Sequence, residues 1–254
     1  MSGVRGIVLH EGPSAIDGQP IVVVATLKTN NPKTGDMVQT WVLRSDVSPT
    51  VAINEGDDRS ICGDCPHRGL IDGGVNRMRT CYVNVRNAPL AVWNAYRRGV
   101  YPTYDRSKHA HLLRGRKLRL GSYGDPCAVP LAVWAPFIRL ASKRTGYTHQ
   151  WRDKRFARFA RYVMASAETV ADAVKAQAKG WRTFRIRTDA ADPIEQGEIV
   201  CPASPEGGTR MDCSRCAACH GTNGAPGRAS VAIIAHGGKS VVSAYRRLSL
   251  TLVS

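Results

Sequence analysis

The sequence predicts an α/β protein built on a mostly parallel sheet, and three observations carry that expectation. From about residue 117 onward, short apolar runs alternate with segments of helical spacing. A pair of β-branched runs precedes them near the amino terminus, and a cysteine-rich segment follows near the end. Strands alternating with helices of this length imply right-handed βαβ crossovers, which make neighbouring strands parallel.

Ile21–Leu27 is β-branched and apolar, 30–35 carries turn residues, and Met37–Leu43 resumes the strand, so this region reads as a hairpin. A polar stretch over 55–59 then delivers the chain to Cys62 and Cys65. After Cys81, Pro89–Tyr96 has helical spacing and ends in Arg97, Arg98 and Gly99, a basic and glycine-closed helix terminus. Lys117–Gly121 reads as a strand, Val129–Lys143 as a helix and Gly146–Trp151 as the next strand. Tyr162–Ala165 follows as a strand, with Ser166 placed to cap a helix running to Lys179. Trp181–Ile186, Glu198–Cys201 and Ser230–His236 complete the strands. The domain organisation that follows is a hairpin extension over 1–55 and an α/β domain over 56–254.

What sits just past each strand matters most. In order these positions hold Gly124 with Asp125, His149 with Trp151, Ser166, Cys201 and His236. Parallel α/β folds gather their functional groups at the carboxyl ends of the strands. The same rule makes these residues candidates for one site.

Eight cysteines occur in the 254 residues. Cys201, Cys213, Cys216 and Cys219 have the spacing C-x11-C-x2-C-x2-C, which lets four thiolates converge on one point. A lone C-x2-C pair is a common half of a zinc site. The unbroken C-x2-C-x2-C run favours an iron–sulfur cluster, 4Fe-4S before zinc, because one tight loop meets successive corners of the cluster. Arg210 and Arg215 stand nearby to offset thiolate charge. Cys62, Cys65 and Cys81 supply three further thiolates, with His67, Cys127 or an exogenous group as the fourth ligand. Three thiolates with an open position suit a catalytic cluster; a Cys3His set using His67 suits structural zinc. Whether the two groups share one face is left open by spacing alone.

The chain carries a formal net charge of +16 at pH 7, which attracts phosphate polymers and other anions. Nucleic acid is one partner class that such a surface fits, a basic surface that only aids solubility is the alternative, and the charge itself names no partner. No run approaches the roughly 18 apolar residues that span a bilayer, and the first residues lack a secretory apolar core. A cytoplasmic location is therefore expected, where thiols stay reduced and ligate metals. The sequence contains no P-loop and no Gly-x-Ser-x-Gly elbow.

Several segments resemble an uncharacterised family of phage-encoded cysteine-rich proteins: Cys62–Arg68, Tyr96–Tyr101, Cys201 through Cys219, and 233–237. That family is itself similar to radical S-adenosylmethionine enzymes with partial (β/α) barrels. The resemblance covers about residues 55 to 240. It implies a partial barrel in the host cytosol, with a reactive cluster on Cys62, Cys65 and Cys81. It also implies S-adenosylmethionine as co-substrate, an auxiliary cluster on Cys201, Cys213, Cys216 and Cys219, and Asp125 and His149 as catalytic groups facing the substrate. Those enzymes use a C-x3-C-x2-C loop, whereas this chain has C-x2-C-x15-C.

The leading expectation is an iron–sulfur protein, with or without enzymatic activity, acting on nucleic acid or another anionic substrate. One alternative is a zinc-stabilised nucleic-acid-binding protein in which Trp151, Phe156 and Trp181 stack on bases. A third reads His109-Ala-His111 as the metal motif of a replication-initiator nickase, with Tyr147, or Tyr101 and Tyr104, as nucleophile.

Overall fold

Nine of the strands join one mixed sheet in a computed structural model that describes residues 3–224, 227–236, 238–240 and 242–246. Gly237, the last residue of one family-like segment, lies outside the described residues, as do 1–2 and 247–254. The strands are β1 (Gly6–Pro13), β2 (Pro20–Thr26), β3 (Val38–Arg44), β4 (Leu70–Asp72), β5 (Val75–Arg77) and β6 (Lys117–Tyr123). They continue with β7 (Lys143–Thr148), β8 (Met164–Ala167), β9 (Thr183–Arg187), β10 (Glu198–Val200) and β11 (Ser230–Ile234). The large sheet has the linear order β1-β2-β3-β6-β7-β8-β9-β11-β10, and β4 and β5 form a separate hairpin. Pairing is antiparallel through β1, β2 and β3, then parallel at every step from β3 to β10.

The helices are α1 (Pro49–Glu55), α2 (Arg59–Cys62), α3 (Ala88–Arg97), α4 (Arg106–Leu113), α5 (Leu131–Leu140), α6 (Val170–Ala178) and α7 (Cys213–Cys216). The α/β expectation with a mostly parallel sheet is thus met. The amino-terminal hairpin does not form an appendage. Its second strand pairs in parallel with β6, and its valines share one apolar core with Leu120, Trp134, Phe137 and Trp151. An additional strand, β1, extends it; the bulge between Val8 and His10 interrupts the regular pattern there.

Ser166 does not cap a helix. It lies inside β8, and the cap is Thr169, whose hydroxyl accepts from the Asp172 amide at 3.0 Å. Two further residues of extended chain separate strand from helix, and threonine supplies the same capping oxygen as serine. The remaining strands and helices fall within a few residues of their expected places. Regions without a strong apolar period (α1, α2, α4 and the β4–β5 hairpin) had no counterpart in the sequence reading.

The sheet presents its faces by the period-two rule. Arg119, Gly121 and Tyr123 of β6, Thr145 and Tyr147 of β7, and Phe184 and Ile186 of β9 all line one cavity. Trp134 of α5 is fully buried, and its indole N–H donates to the Pro126 carbonyl at 2.9 Å, anchoring the turn after β6. Trp134→Ala is expected to lower unfolding stability by about 3–5 kcal/mol, measured by chemical denaturation, because it removes a large core side chain and leaves a void.

Candidate metal centre

The parallel strands all end at one rim, and the chemistry-bearing loops converge there. A cavity of about 240 Å³ is lined by Cys62, Cys65 and Cys81 and by Cys201, Cys213, Cys216 and Cys219. The two cysteine groups therefore face one space. Asp125, His149, Ser166 and His236, each expected from its position past a strand, line it as well.

The first group is shaped by local backbone bonds. Cys62 ends α2, the Cys65 amide donates to the Cys62 carbonyl at 3.3 Å, and a 3-10 turn over Pro66–Arg68 follows. Gly63 between them adopts φ 56°, and a Cβ there would run into the Gln150 amide group. Only glycine meets both conditions, so Gly63 sets the tightness of the C-x2-C loop. The chain returns through β4 and β5 so that the Cys81 amide donates to the His67 carbonyl at 3.0 Å. That hydrogen bond closes the C-x15-C gap and brings the third thiol to the first two.

The second group is pinned from three sides. The Cys201 amide donates to Ala232 on β11 at 2.8 Å, and the Cys213 amide donates to the Lys33 carbonyl at 2.8 Å. The Cys219 carbonyl accepts from the Gly146 amide on β7 at 3.0 Å. Asp212 caps α7 through the Arg215 amide at 2.9 Å, while the Arg182 guanidinium donates to the carbonyls of Ala218 and His220 at 3.1 and 2.6 Å.

Burial pushes the Cys62 and Cys81 thiols up, with Arg79 opposing the shift. Cys201 and Cys213 are likewise raised by burial, offset by Lys33 and Arg119, and Cys219 is pushed up to about 12. Without a metal these sulfurs hold their protons; a bound metal would displace those protons and give the nearby cations thiolates to neutralise. The cations are Lys33, Arg79 and Arg119, which the sequence reading missed. Arg215 is exposed and instead pairs with Asp212 at 3.0 Å and the Arg210 carbonyl at 2.8 Å. Arg79 stands two residues before Cys81, a detectable neighbour. Nothing in sequence separates Arg119 from the other basic residues around it.

Among the described residues, no three thiols lie within 4.8 Å of one another; the one set of three ligand-type groups that does is His67, His149 and Glu168. Thiolates on a single zinc sit roughly 3.8 Å apart, given Zn–S bonds of about 2.3 Å. Cysteines that each meet a different iron of a cluster are held wider. The donor type, the burial and the neighbouring cations are those of a thiolate site for a metal.

Asp125 is deployed structurally. Its Oδ1 accepts from the Cys127 amide, and its Oδ2 accepts from the Thr148 hydroxyl and the His149 amide, all at 2.9 Å. Burial raises its carboxyl above the usual range, partly offset by those donors. His149 Nε2 lies 2.9 Å from Glu168 and 4.0 Å from Cys65. Burial alone would lower that imidazole, but Cys65 and Glu168 outweigh it and hold it well above the usual value. Glu168 stands at the end of β8, where the strand-end rule would have found it.

Cys127 is fully buried beside Thr148 at 3.2 Å and does not line the cavity, whereas His67 does. Trp151, Phe156 and Trp181 are buried core residues, and the guanidinium groups of Arg152 and Arg155 lie over the Trp151 and Phe156 rings, so none of the three is open to base stacking. His109 is buried on α4, its Nδ1 accepting from the Asp105 amide, while His111 is exposed; two residues apart on a helix, their rings face apart. Tyr147 lines the cysteine cavity and hydrogen-bonds Cys219.

The fold and the site define an α/β protein with a thiol-lined cavity at the strand ends. No family model, curated protein or solved structure matches the chain. No helix among the described residues is long and apolar enough to cross a membrane.

Asp125→Ala is expected to cost about 2–4 kcal/mol in denaturant-induced unfolding, because it strands three buried donors. A side chain serving catalysis alone would leave stability unchanged or raise it on removal.

Proposed function

We propose that this chain is an iron–sulfur protein whose cavity binds an anionic substrate between two cysteine-held clusters. One observation carries the reading: all seven cysteines of the two sequence groups line the same cavity. Cys62, Cys65 and Cys81 would hold the more open cluster, and Cys201, Cys213, Cys216 and Cys219 the closed one. When bound, such clusters supply one-electron chemistry.

The chain's own residues do the rest. Gly63 and the His67–Cys81 hydrogen bond hold the open group in shape, and Arg79 offsets its charge. Lys33 and Arg119 bring positive charge to the far wall, where an anionic group of the substrate would be drawn. Tyr147 and Phe184, with ring centroids 4.4 Å apart, form an apolar wall between the sites. Asp125 acts as a positioning residue that fixes the His149 backbone, and His149 presents its imidazole to the cavity. We read the parallel strands as a partial barrel, S-adenosylmethionine as the co-substrate class that the family resemblance implies, and nucleic acid as one source of the anionic group.

Protein purified without oxygen is expected to be brown, to absorb broadly near 400 nm (roughly) and to contain iron and acid-labile sulfide in equal amounts. Cys62→Ser and Cys216→Ser should each remove roughly half of that iron, since each touches one group. A colourless protein carrying stoichiometric zinc and no iron would reject the reading in favour of zinc-stabilised structure.

A further inference from the structure

Between the first cysteine group and the end of β8 lies a cluster of donors that the two proposed thiolate sites do not use. His67, His149 and Glu168 offer ligand atoms that all lie within 4.8 Å of one another. His149 Nε2 is 2.9 Å and His67 Nε2 is 3.4 Å from the same oxygen, Glu168 Oε1. The Glu168 side chain is 1 % exposed and His67 is 8 % exposed, so the cluster is screened from bulk water.

Two details distinguish this from an ordinary buried ion pair. First, His67 Nδ1 lies 2.7 Å from the Thr80 hydroxyl, whereas its buried Nε2 makes no well-aligned hydrogen bond and has Glu168 Oε1, at 3.4 Å, as its neighbour. An imidazole held at one nitrogen by a hydroxyl, with the other nitrogen directed at a carboxylate, is oriented as metal-binding histidines are. Secondly, the spacing fits. Donors about 2.1 Å from one divalent ion sit roughly 3–3.5 Å apart, and the two nitrogen–oxygen separations, 2.9 and 3.4 Å, lie close to that range.

The three donors also come from elements that are independently fixed. The His67 carbonyl accepts from the Thr80 and Cys81 amides at 3.3 and 3.0 Å, and the His149 amide is bound by Asp125. Glu168 follows β8 directly, before the Thr169 cap. The Tyr245 ring, 5.5 Å from that of His67, covers one side. His67 and His149 both line the cavity, so coordination positions left open by three protein ligands would face it.

We propose that His67, His149 and Glu168 form a two-histidine, one-carboxylate site for a divalent cation, placed to bind an oxygen or nitrogen group of whatever occupies the cavity. The inference goes beyond the iron–sulfur reading and shares no donor atom with it. The Cys65 sulfur, 4.0 Å from His149 Nε2, is the point at which the two sites adjoin. Nitrogen and carboxylate donors accept manganese(II), zinc(II) and iron(II), whereas thiolates have little affinity for manganese(II). Manganese(II) therefore bypasses the thiolate groups, and the variants below separate this site from surface carboxylates.

The test is a manganese(II) titration of the full chain, purified without oxygen and followed by the room-temperature paramagnetic resonance signal of the free ion. The intact protein is expected to take up one equivalent. His67→Gln and Glu168→Gln should abolish that uptake, and Thr80→Val should weaken it roughly ten- to a hundredfold by releasing the ring. His67→Gln keeps a polar amide beside Thr80 and Glu168, so folding, checked by circular dichroism, should be retained. Iron and sulfide measured on the same samples read the cluster proposal separately, and they should be unchanged in Glu168→Gln. Absence of uptake by the intact chain, or equal uptake by His67→Gln and Glu168→Gln, would overturn the assignment.

Discussion

Parallel pairing from β3 through β10 forces the carboxyl ends of seven strands onto one rim, and everything chemically distinctive about the molecule depends on that constraint. Each strand delivers its following loop to the same place, so residues far apart in the chain become neighbours. Cys62 reaches the rim from the segment after β3, Asp125 from β6, His149 from β7, Glu168 from β8 and Cys201 from β10. An antiparallel arrangement would have sent alternate loops to opposite ends and separated the two cysteine groups.

Such convergence concentrates groups that resist burial together. Thiols, a carboxylate and several cations share a poorly hydrated space, and each needs a partner. The molecule meets this need locally. Asp125 is saturated by three donors of its own turn and the next strand, Arg79 stands by Cys62 and Cys81, and Lys33 and Arg119 stand by the second group. Lys33 belongs to the amino-terminal hairpin, and its carbonyl also holds the Cys213 amide. The hairpin is therefore part of the site's wall, which explains why it shares the sheet and the core. Gly35, in the same turn, allows that approach: a Cβ there would lie 2.8 Å from both Asp212 Oδ1 and Ser214 Oγ.

Much of the cavity was legible before any coordinates. The strand-end rule selected Asp125, His149, Ser166, Cys201 and His236, and all five line it, because the apolar runs of β6, β7, β8, β10 and β11 locate their ends within a few residues. The rule failed for Trp151, which turns inward to donate its indole N–H to the Ser166 carbonyl at 2.8 Å. Position past a strand tells where a residue stands; which way its side chain turns depends on the neighbouring strand. Cys127 and the pair His109 and His111 show the same limit, since residue type suggested ligands while packing put them elsewhere.

By itself the sequence determined the α/β class, the parallel run of strands and the membership of the two cysteine groups. These follow from local period and local spacing, which need no partner to be read. The tertiary structure alone decided that both groups share one cavity, and that Lys33, Arg79 and Arg119 stand beside them. It also brought Glu168 between His67 and His149. These pairings join residues separated by as much as a hundred positions or more (roughly), and burial against the sheet, not sequence proximity, selects which of many similar side chains meet.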